Sequence, residues 1–233
     1  PSGVPAVICS KGIEQDSCAL MSEVVGEVLP GKPIAVVSGP AFATEVANNL
    51  PTAVTLASDD ETLAKVLMET LSTRFFRTYR SRDIIGAQIG GAVKNVLAIA
   101  CGIVEGRNLG SNARSALITR GLAEITRLGI AKGALAETFY GLSGLGDLTL
   151  TCNEMQSRNF SLGFALGKGK QLQEIIEERI SITEGVYTAS TLTVLARRLN
   201  VELPICSAVD GVLNHSKDID STINALLVRP LKL

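Results

Sequence analysis

Ile84-Ile-Gly-Ala-Gln-Ile-Gly-Gly-Ala-Val-Lys-Asn-Val-Leu-Ala-Ile-Ala-Cys-Gly102 belongs to the most apolar segment of the chain, residues 84–104. Gln88, Lys94, Asn95 and several glycines interrupt this segment, so it lacks the roughly 18 uninterrupted apolar residues that a membrane-spanning helix needs. The segment therefore predicts a helix that is buried in the core of a globular protein.

Glycines lie along one face of this helix, next to its single charge. Gly86, Gly90, Lys94 and Ala98 follow one another at the spacing of one helical turn. Each glycine costs about 1 kcal/mol of helix stability relative to alanine, so a closely approaching helix or ligand is expected there. A desolvated lysine can act as a general base near neutral pH, whereas a lysine that reaches solvent beside a helix crossing is the open alternative.

The segment that precedes this helix alternates between strand-like and helix-like patterns. The predicted strands are residues 5–10, 34–37, 52–57 and 75–79, and the predicted helices between them are 16–29, 42–49 and 58–71. Ser58 with Glu61 predicts a capping box at the start of the third helix. Alternation of this kind with short connections is typical of a parallel α/β sheet.

Almost everything after Arg82 has helical periodicity. We therefore predict two domains: residues 1–82, which suggest part of a Rossmann-like parallel sheet, and residues 83–233, an all-α domain. The glycine-rich phosphate-binding turn of a Rossmann domain follows its first strand, and no strand–GxGxxG–helix pattern occurs in this sequence. This absence suggests that a first strand–helix–strand unit is missing from the chain.

Composition excludes several classes of function. The 233 residues include 22 Lys and Arg against 23 Asp and Glu, so no basic field favours nucleic acid or anionic lipid. One histidine disfavours a histidine-ligated metal site, and acid–base chemistry would fall to Lys, Asp or Glu. Five cysteines without a CxxC motif indicate reduced thiols in a cytosolic protein.

Three further groups of residues could carry chemistry. Asp147 follows a glycine-rich segment, and Ser157-Arg158-Asn159 offers a hydroxyl, a guanidinium and an amide that suit a phosphate. A helix-capping loop with a surface arginine is the simpler explanation of those three residues taken alone.

Lys11 and Gly39 each follow a predicted strand, where open parallel sheets bind ligands, although two ordinary turns would give the same pattern. Glu184 could accept hydrogen bonds from ribose hydroxyls or cap a helix.

Six segments together identify a family that the chain resembles. They are SKGIE (10–14), SGPAFATEVA (38–47), GGAVKNVLAIACGI (90–103), NARSALITRGLAE (112–124), GLSGLGDLTLTC (141–152) and QSRN (156–159). In this order and spacing they resemble the bacterial NAD(P)-dependent glycerol-3-phosphate dehydrogenases over essentially the whole chain. That family also has an N-terminal glycine-rich strand–turn–helix segment, so we expect the chain to correspond to about the last two thirds of such an enzyme.

The resemblance implies a function and a set of site residues. The activity is reversible hydride transfer between NAD or NADP and C2 of sn-glycerol 3-phosphate or dihydroxyacetone phosphate, which supplies glycerol 3-phosphate for phospholipid synthesis. Lys94 would accept the proton of the C2 hydroxyl, and Asn95 and Asp147 would orient Lys94 and the substrate. The implied substrate-contacting residues are Lys11, Gly39, Ala41, Lys94, Asp147, Ser157, Arg158 and Asn159. The implied cofactor-side residues are Ala43, Arg158, Ile182 and Glu184.

Position 41 departs from the family pattern, since a hydroxyl residue is common there and this chain has alanine. Only a backbone contact with substrate is therefore expected at Ala41. The resemblance also implies that residues 1–82 are the C-terminal part of the Rossmann-like NAD(P)-binding domain and that residues 83–233 are the substrate and dimerisation domain of a homodimer. The balanced charge, the interrupted apolar segment and the cysteine pattern predict a cytoplasmic protein that neither binds nucleic acid nor inserts into a membrane.

Two other interpretations remain open at the level of sequence. A different β-hydroxyacid dehydrogenase with a helical domain would also use a helix lysine with a nearby asparagine. A non-catalytic helical module for oligomerisation would explain the missing dinucleotide-binding turn. Activity towards dihydroxyacetone phosphate rather than 3-keto acids, and binding of a nicotinamide, distinguish these interpretations.

Overall fold

The structure is a computed structural model that describes residues 3–178 and 183–229. Four strands form one sheet in the order β1-β2-β3-β4. The strands are β1 (Ala6–Ile8), β2 (Ile34–Ser38), β3 (Thr52–Ala57) and β4 (Phe76–Ser81), and the helices that connect them are α1 (Met21–Val28), α2 (Ala43–Ala47) and α3 (Glu61–Leu71). Strand–helix alternation was predicted for this part of the chain, and the structure confirms it.

The expectation of a fully parallel sheet is wrong for one pair of strands. Strands β1 and β2 are parallel, as are β3 and β4, but β2 and β3 are antiparallel, with Ser38 opposite Thr55. Helix α2, which connects β2 to β3, has only five residues and is about 7 Å long. This helix is too short to return the chain along the sheet for a parallel crossover.

The predicted capping box at the start of α3 is also wrong. Asp60 caps this helix, because its Oδ1 atom accepts hydrogen bonds from the Thr62 and Leu63 amides at 2.9 and 3.0 Å. The Ser58 hydroxyl instead donates to the Ile34 carbonyl oxygen at 2.8 Å and so ties the end of β3 to the start of β2. Tertiary contact with the neighbouring strand therefore takes the hydroxyl that local sequence assigns to the helix.

The rest of the described chain is helical. Its helices are α4 (Ile84–Gly106), α5 (Gly110–Lys132), α6 (Asp147–Asn153), α7 (Arg158–Gly167), α8 (Leu172–Glu177), α9 (Glu184–Arg198), α10 (Pro204–Asn214) and α11 (Ile219–Leu227). A 3-10 helix (Ala136–Tyr140) and a π-helical turn (Leu142–Gly146) connect α5 to α6. Glu124 of α5 is buried and caps α10, since its carboxylate accepts from the Ile205 and Cys206 amides.

Helix α4 lies at the centre of this helical assembly, with α5, α6, α7, α9 and α10 packed around it. In the described parts of the chain it is the one helix long and apolar enough to cross a membrane, yet 89% of its most apolar window is buried. The prediction of a core helix is therefore confirmed.

Glycines allow α4 and α7 to approach each other closely. A Cβ atom added at Gly102 would lie 2.1 Å from the Phe160 carbonyl oxygen, and one added at Gly163 would lie 2.0 Å from the Ile99 carbonyl oxygen. These distances are far below van der Waals contact, so a side chain at either position would force the helices apart. Helix packing thus accounts for part of the glycine content of α4.

We expect Gly163→Ala to lower the free energy of unfolding by about 1–3 kcal/mol or more, because the added methyl overpacks the contact with α4. Urea denaturation monitored by circular dichroism measures this change. Gly26→Ala is the matched control, since Gly26 is an exposed residue of α1 with no heavy atom near its added Cβ. The control should be neutral or stabilising by up to about 1 kcal/mol, and equal effects of the two substitutions would contradict the packing argument.

Candidate active site

A buried ion pair joins helices α4 and α6. Lys94 Nζ lies 2.6 Å from Asp147 Oδ1, and the two side chains are only 8% and 1% exposed. The same Nζ donates to the Thr151 hydroxyl at 2.7 Å, while that hydroxyl donates to the Asp147 carbonyl oxygen at 2.6 Å. Asp147 is the first residue of α6, and Thr151 follows one turn later on the same helix face. The fold therefore gives the buried ammonium two oxygen partners on one helix.

A second lysine reaches the same carboxylate from the sheet. Lys11 follows β1, and its Nζ lies 2.7 Å from Asp147 Oδ2 and 3.1 Å from the Gly39 carbonyl oxygen. Gly39 follows β2, so the ends of two parallel strands meet α6 at this point. The structure brings together Lys11, Gly39, Lys94 and Asp147, which lie in four separate segments of the sequence.

Because Gly91 has no side chain, Lys11 has room to cross helix α4. A Cβ atom at Gly91 would lie 3.0 Å from Ser38 Oγ and 3.3 Å from Lys11 Cγ. On the other side of the glycine pair, a Cβ atom at Gly90 would lie 2.1 Å from the Ser143 carbonyl oxygen. The groups that approach this face of α4 closely are therefore other segments of the same chain, at Lys11, Ser38 and Ser143.

Asn95 joins the Lys11 segment to the start of α9. Its Nδ2 atom donates to the Lys11 carbonyl oxygen at 3.2 Å and approaches Glu184 Oε2 at 3.4 Å. Glu184 is the exposed first residue of α9. The amide of Asn95 therefore holds the backbone of Lys11 rather than Lys94, its neighbour along the chain.

Burial changes the acidity of Lys94. Desolvation lowers its pKa to about 8, and the nearby Lys11 charge acts in the same direction. The attraction of Asp147 raises the pKa and offsets part of this shift. Both the ammonium and the neutral amine of Lys94 are consequently accessible close to neutral pH, as a group that both accepts and donates a proton requires.

The Ser157-Arg158-Asn159 segment forms the start of α7. The Ser157 hydroxyl oxygen accepts from the Phe160 amide at 3.2 Å and so caps the helix. Asn159 Oδ1 accepts from the Gly185 amide at 3.0 Å, which joins the starts of α7 and α9. Arg158 between them is exposed. The capping role that the sequence left open is present, and it leaves a charged guanidinium at two joined helix starts.

The remaining predicted positions lie close to this region or outside the described residues. Ala43 is the exposed first residue of α2, and the Gln156 side chain donates to the hydroxyl of the next residue, Thr44. Ala41 is half-buried in the loop before α2. Ile182 lies outside the described residues. The contact of Gln156 therefore brings the loop before α7 to the start of α2.

A cation and a carboxylate thus stand at neighbouring helix starts, Arg158 at α7 and Glu184 at α9. An exposed guanidinium suits a phosphate, and an exposed carboxylate can accept hydrogen bonds from ribose hydroxyls. The guanidinium of Arg158 and the carboxylate of Glu184 therefore fit the phosphate and ribose groups of a dinucleotide.

Thr151 is the site residue that the sequence reasoning missed. It lies four residues after Asp147, so both face one side of α6, and its hydroxyl contacts Lys94 directly. The helical spacing from Asp147 was the available signal. A threonine at that spacing is common in helices, and only the position of Lys94 on another helix makes it informative.

Comparison with known proteins identifies the family. Models of the N-terminus and C-terminus of NAD-dependent glycerol-3-phosphate dehydrogenase match residues 1–64 and 83–224. NAD(P)+ glycerol-3-phosphate dehydrogenases of Rhodospirillum rubrum and Caulobacter vibrioides are 61% and 55% identical over 100% and 99% of the chain, which covers 67% and 70% of their lengths. The crystal structure of glycerol-3-phosphate dehydrogenase from Coxiella burnetii superimposes with a TM-score of 0.94 at 45% identity, over 97% of this chain and 69% of that one. The chain therefore belongs to the NAD-dependent glycerol-3-phosphate dehydrogenase family.

Proposed function

We propose that this chain carries the catalytic residues of an enzyme that interconverts sn-glycerol 3-phosphate and dihydroxyacetone phosphate with NAD or NADP. The observation that carries the proposal is the buried Lys94, paired with Asp147 at 2.6 Å and with a pKa lowered to about 8. The family and the relatives at 50–61% identity support the same activity. The second cation at this carboxylate, Lys11, favours an anionic substrate over a neutral one.

Lys94 performs the proton transfer in both directions. In alcohol oxidation the neutral amine takes the proton of the C2 hydroxyl while the hydride leaves C2, so the carbonyl forms without a charged intermediate. In ketone reduction the ammonium gives that proton to the carbonyl oxygen. When bound, NAD or NADP would supply the hydride-transfer chemistry that the side chains of the protein lack.

Asp147 and Thr151 hold the amine during this cycle. Their oxygens lie 2.6 and 2.7 Å from Lys94 Nζ, which leaves the third hydrogen-bonding direction of the amine for substrate. Asp147 also stabilises the ammonium that forms when the proton arrives. Positioning of this kind reduces the reorganisation that the reaction itself needs.

The substrate phosphate would be held by cations and helix-start groups. We assign this role to Lys11, Arg158, Ser157 and Asn159, together with the backbone at Gly39 and Ala41. Lys11 is 22% exposed at its side chain and Arg158 is exposed, so both charges are accessible to an anion. Ala43, Arg158, Ile182 and Glu184 are assigned to the cofactor side, where the charges of Arg158 and Glu184 fit phosphate and ribose.

The division at residues 82 and 83 is part of this proposal. The last of the four strands, β4, ends at Ser81, and α4 begins at Ile84. Ile13 and Leu20, which follow β1, pack within the core cluster of the helical part, and Gln88 exchanges hydrogen bonds with Ser22. Contacts across the division thus hold the segment that carries Lys11 against α4.

A cytoplasmic location, a homodimer and a role in phospholipid synthesis complete the proposal. Five free cysteines suit a reducing compartment. Small exposed side chains on α5, Ser111, Ser115, Ala116 and Thr119, would allow close packing of a second copy. Light scattering of the purified protein decides between monomer and dimer.

Lys94→Met should reduce kcat for dihydroxyacetone phosphate reduction by about 100- to 10,000-fold, because the proton donor is lost. Steady-state NADH oxidation by the intact gene product that carries this chain measures the change. Binding of NADH, followed by its fluorescence, should persist. The control Lys65→Met removes an exposed lysine of α3 and should leave kcat unaltered. Near-native turnover of the Lys94 variant would refute its role.

The two directions should depend oppositely on pH. Because the pKa of Lys94 is lowered to about 8, ketone reduction should slow as the pH rises through about 8, since the ammonium is lost. Alcohol oxidation should accelerate over the same range, since the neutral amine forms. Profiles of kcat/KM between pH 6 and pH 10 test this, and rates that stay level through pH 8 and change only towards the ordinary lysine value of 10.5 would contradict it.

A further inference from the structure

A buried carboxylate outside the proposed site joins two elements that carry the site. Asp83 precedes α4 and is 7% exposed. Its Oδ1 atom accepts from the Gly86 amide at 2.7 Å and caps the helix. Its Oδ2 atom accepts from the Leu135 amide at 2.9 Å and from the Thr138 hydroxyl at 2.6 Å. One carboxylate therefore ties the start of α4 to a segment more than 50 residues away.

That segment leads directly to Asp147. From Leu135 the chain forms the 3-10 helix and then the π-helical turn, whose last residue, Gly146, precedes Asp147. Phe139 in this segment is fully buried against Gly129, where an added Cβ would lie 2.1 Å from the phenyl ring. Because these turns are short and tightly packed, we expect a displacement of Leu135 to displace the backbone of Asp147 as well.

The other end of the connection is the rigid helix that carries Lys94. Lys94 is the eleventh residue after Asp83, a distance of about 16 Å along the helix axis. Between them, the Ser143 carbonyl oxygen packs on Gly90, one turn before Lys94. Helix α4, the 135–146 segment and the Lys94–Asp147 pair thus form a closed loop of contacts, and Asp83 closes it.

Capping alone does not account for this arrangement. Asp60 and Asp218 also cap helices, but their side chains accept hydrogen bonds from amides two or three residues away, at Thr62, Leu63 and Ser221. Asp83 uses one oxygen in that way and its second oxygen for two long-range bonds. A helix cap does not require the two long-range hydrogen bonds that the second oxygen of Asp83 accepts.

We propose that Asp83 is a positioning residue for the reaction, which places Asp147 against Lys94 by holding the 135–146 segment on α4. This role rests on the proposed dehydrogenase activity. Asp83 touches neither Lys94 nor Asp147 and acts through the backbone between Leu135 and Gly146.

Asp83→Asn and Thr138→Val test the proposal in the intact gene product. Asparagine keeps one acceptor oxygen and puts an NH2 group in place of the other, so at least one of the three donors loses its partner, and valine removes only the threonine hydroxyl. Both variants should lower kcat for dihydroxyacetone phosphate, Asp83→Asn by about 10- to 100-fold, while KM changes by less than about 3-fold. The double variant should be no slower than Asp83→Asn alone, because both changes break one contact.

The pH profile is the readout that a merely structural role would not move. Asp147 raises the pKa of Lys94, so a displaced Asp147 should move the midpoint of ketone reduction below its native position near pH 8. Asp218→Ala is the control, since it removes the side-chain cap of α11, away from the site. That control should lower the melting temperature and leave kcat and the midpoint unchanged.

The outcomes separate the two proposals. Native kcat and a native midpoint in both Asp83→Asn and Thr138→Val, with only a lower melting temperature, would overturn the positioning role. If Asp83→Asn does not fold, Thr138→Val decides, by the same two readouts. If the native protein does not reduce dihydroxyacetone phosphate, the proposed function fails, and an NMR titration of the Lys94 side chain in Thr138→Val and native chains then decides the positioning role. A lowered pKa in the variant supports that role, and an unchanged pKa overturns it.

Discussion

A lysine ammonium buried in the middle of a core helix needs a partner of opposite charge and further hydrogen bonds. Several elements of this structure supply them. Removing a charge from water costs several kcal/mol unless a partner of opposite charge and further hydrogen bonds replace the solvent. Asp147 and Thr151 supply those partners from α6, and Lys11 occupies the second oxygen of the carboxylate. Three elements, α4, α6 and the end of β1, are thereby held at one point.

A buried ion pair is weak evidence of stability, since well-packed apolar residues of similar volume often fold as stably. What the pair provides is a lysine whose pKa is lowered to about 8 and whose position is set by two short contacts. Glycines contribute by allowing the neighbours of α4 to lie directly on its backbone at Gly90, Gly91 and Gly102. Close backbone packing of this kind fixes the positions of the side chains that these elements carry.

The order of apolar and polar residues predicted helices and strands well where a periodic run was long or where a strand was rich in β-branched residues. The buried helix at residues 84–104 and the strand Thr52–Ala57 agree with the structure because each pattern is contained within the element. Local pattern failed at Ser58, whose hydroxyl bonds Ile34 of a neighbouring strand, and at the β2–β3 pair, whose direction depends on a connection across the sheet. These features depend on residues distant in sequence, which a local window does not contain.

The sequence by itself determined the residue types, the helical spacing that sets Lys94 beside a glycine strip, and six ordered segments that identify the family. It singled out Lys11, Lys94 and Asp147 but did not show that one carboxylate serves both lysines. Nor did it single out Thr151 or Asp83, whose partners lie on other elements. The tertiary structure alone decided these points, because hydrogen-bond partners, desolvation and the resulting pKa depend on distances between segments that sequence spacing does not specify.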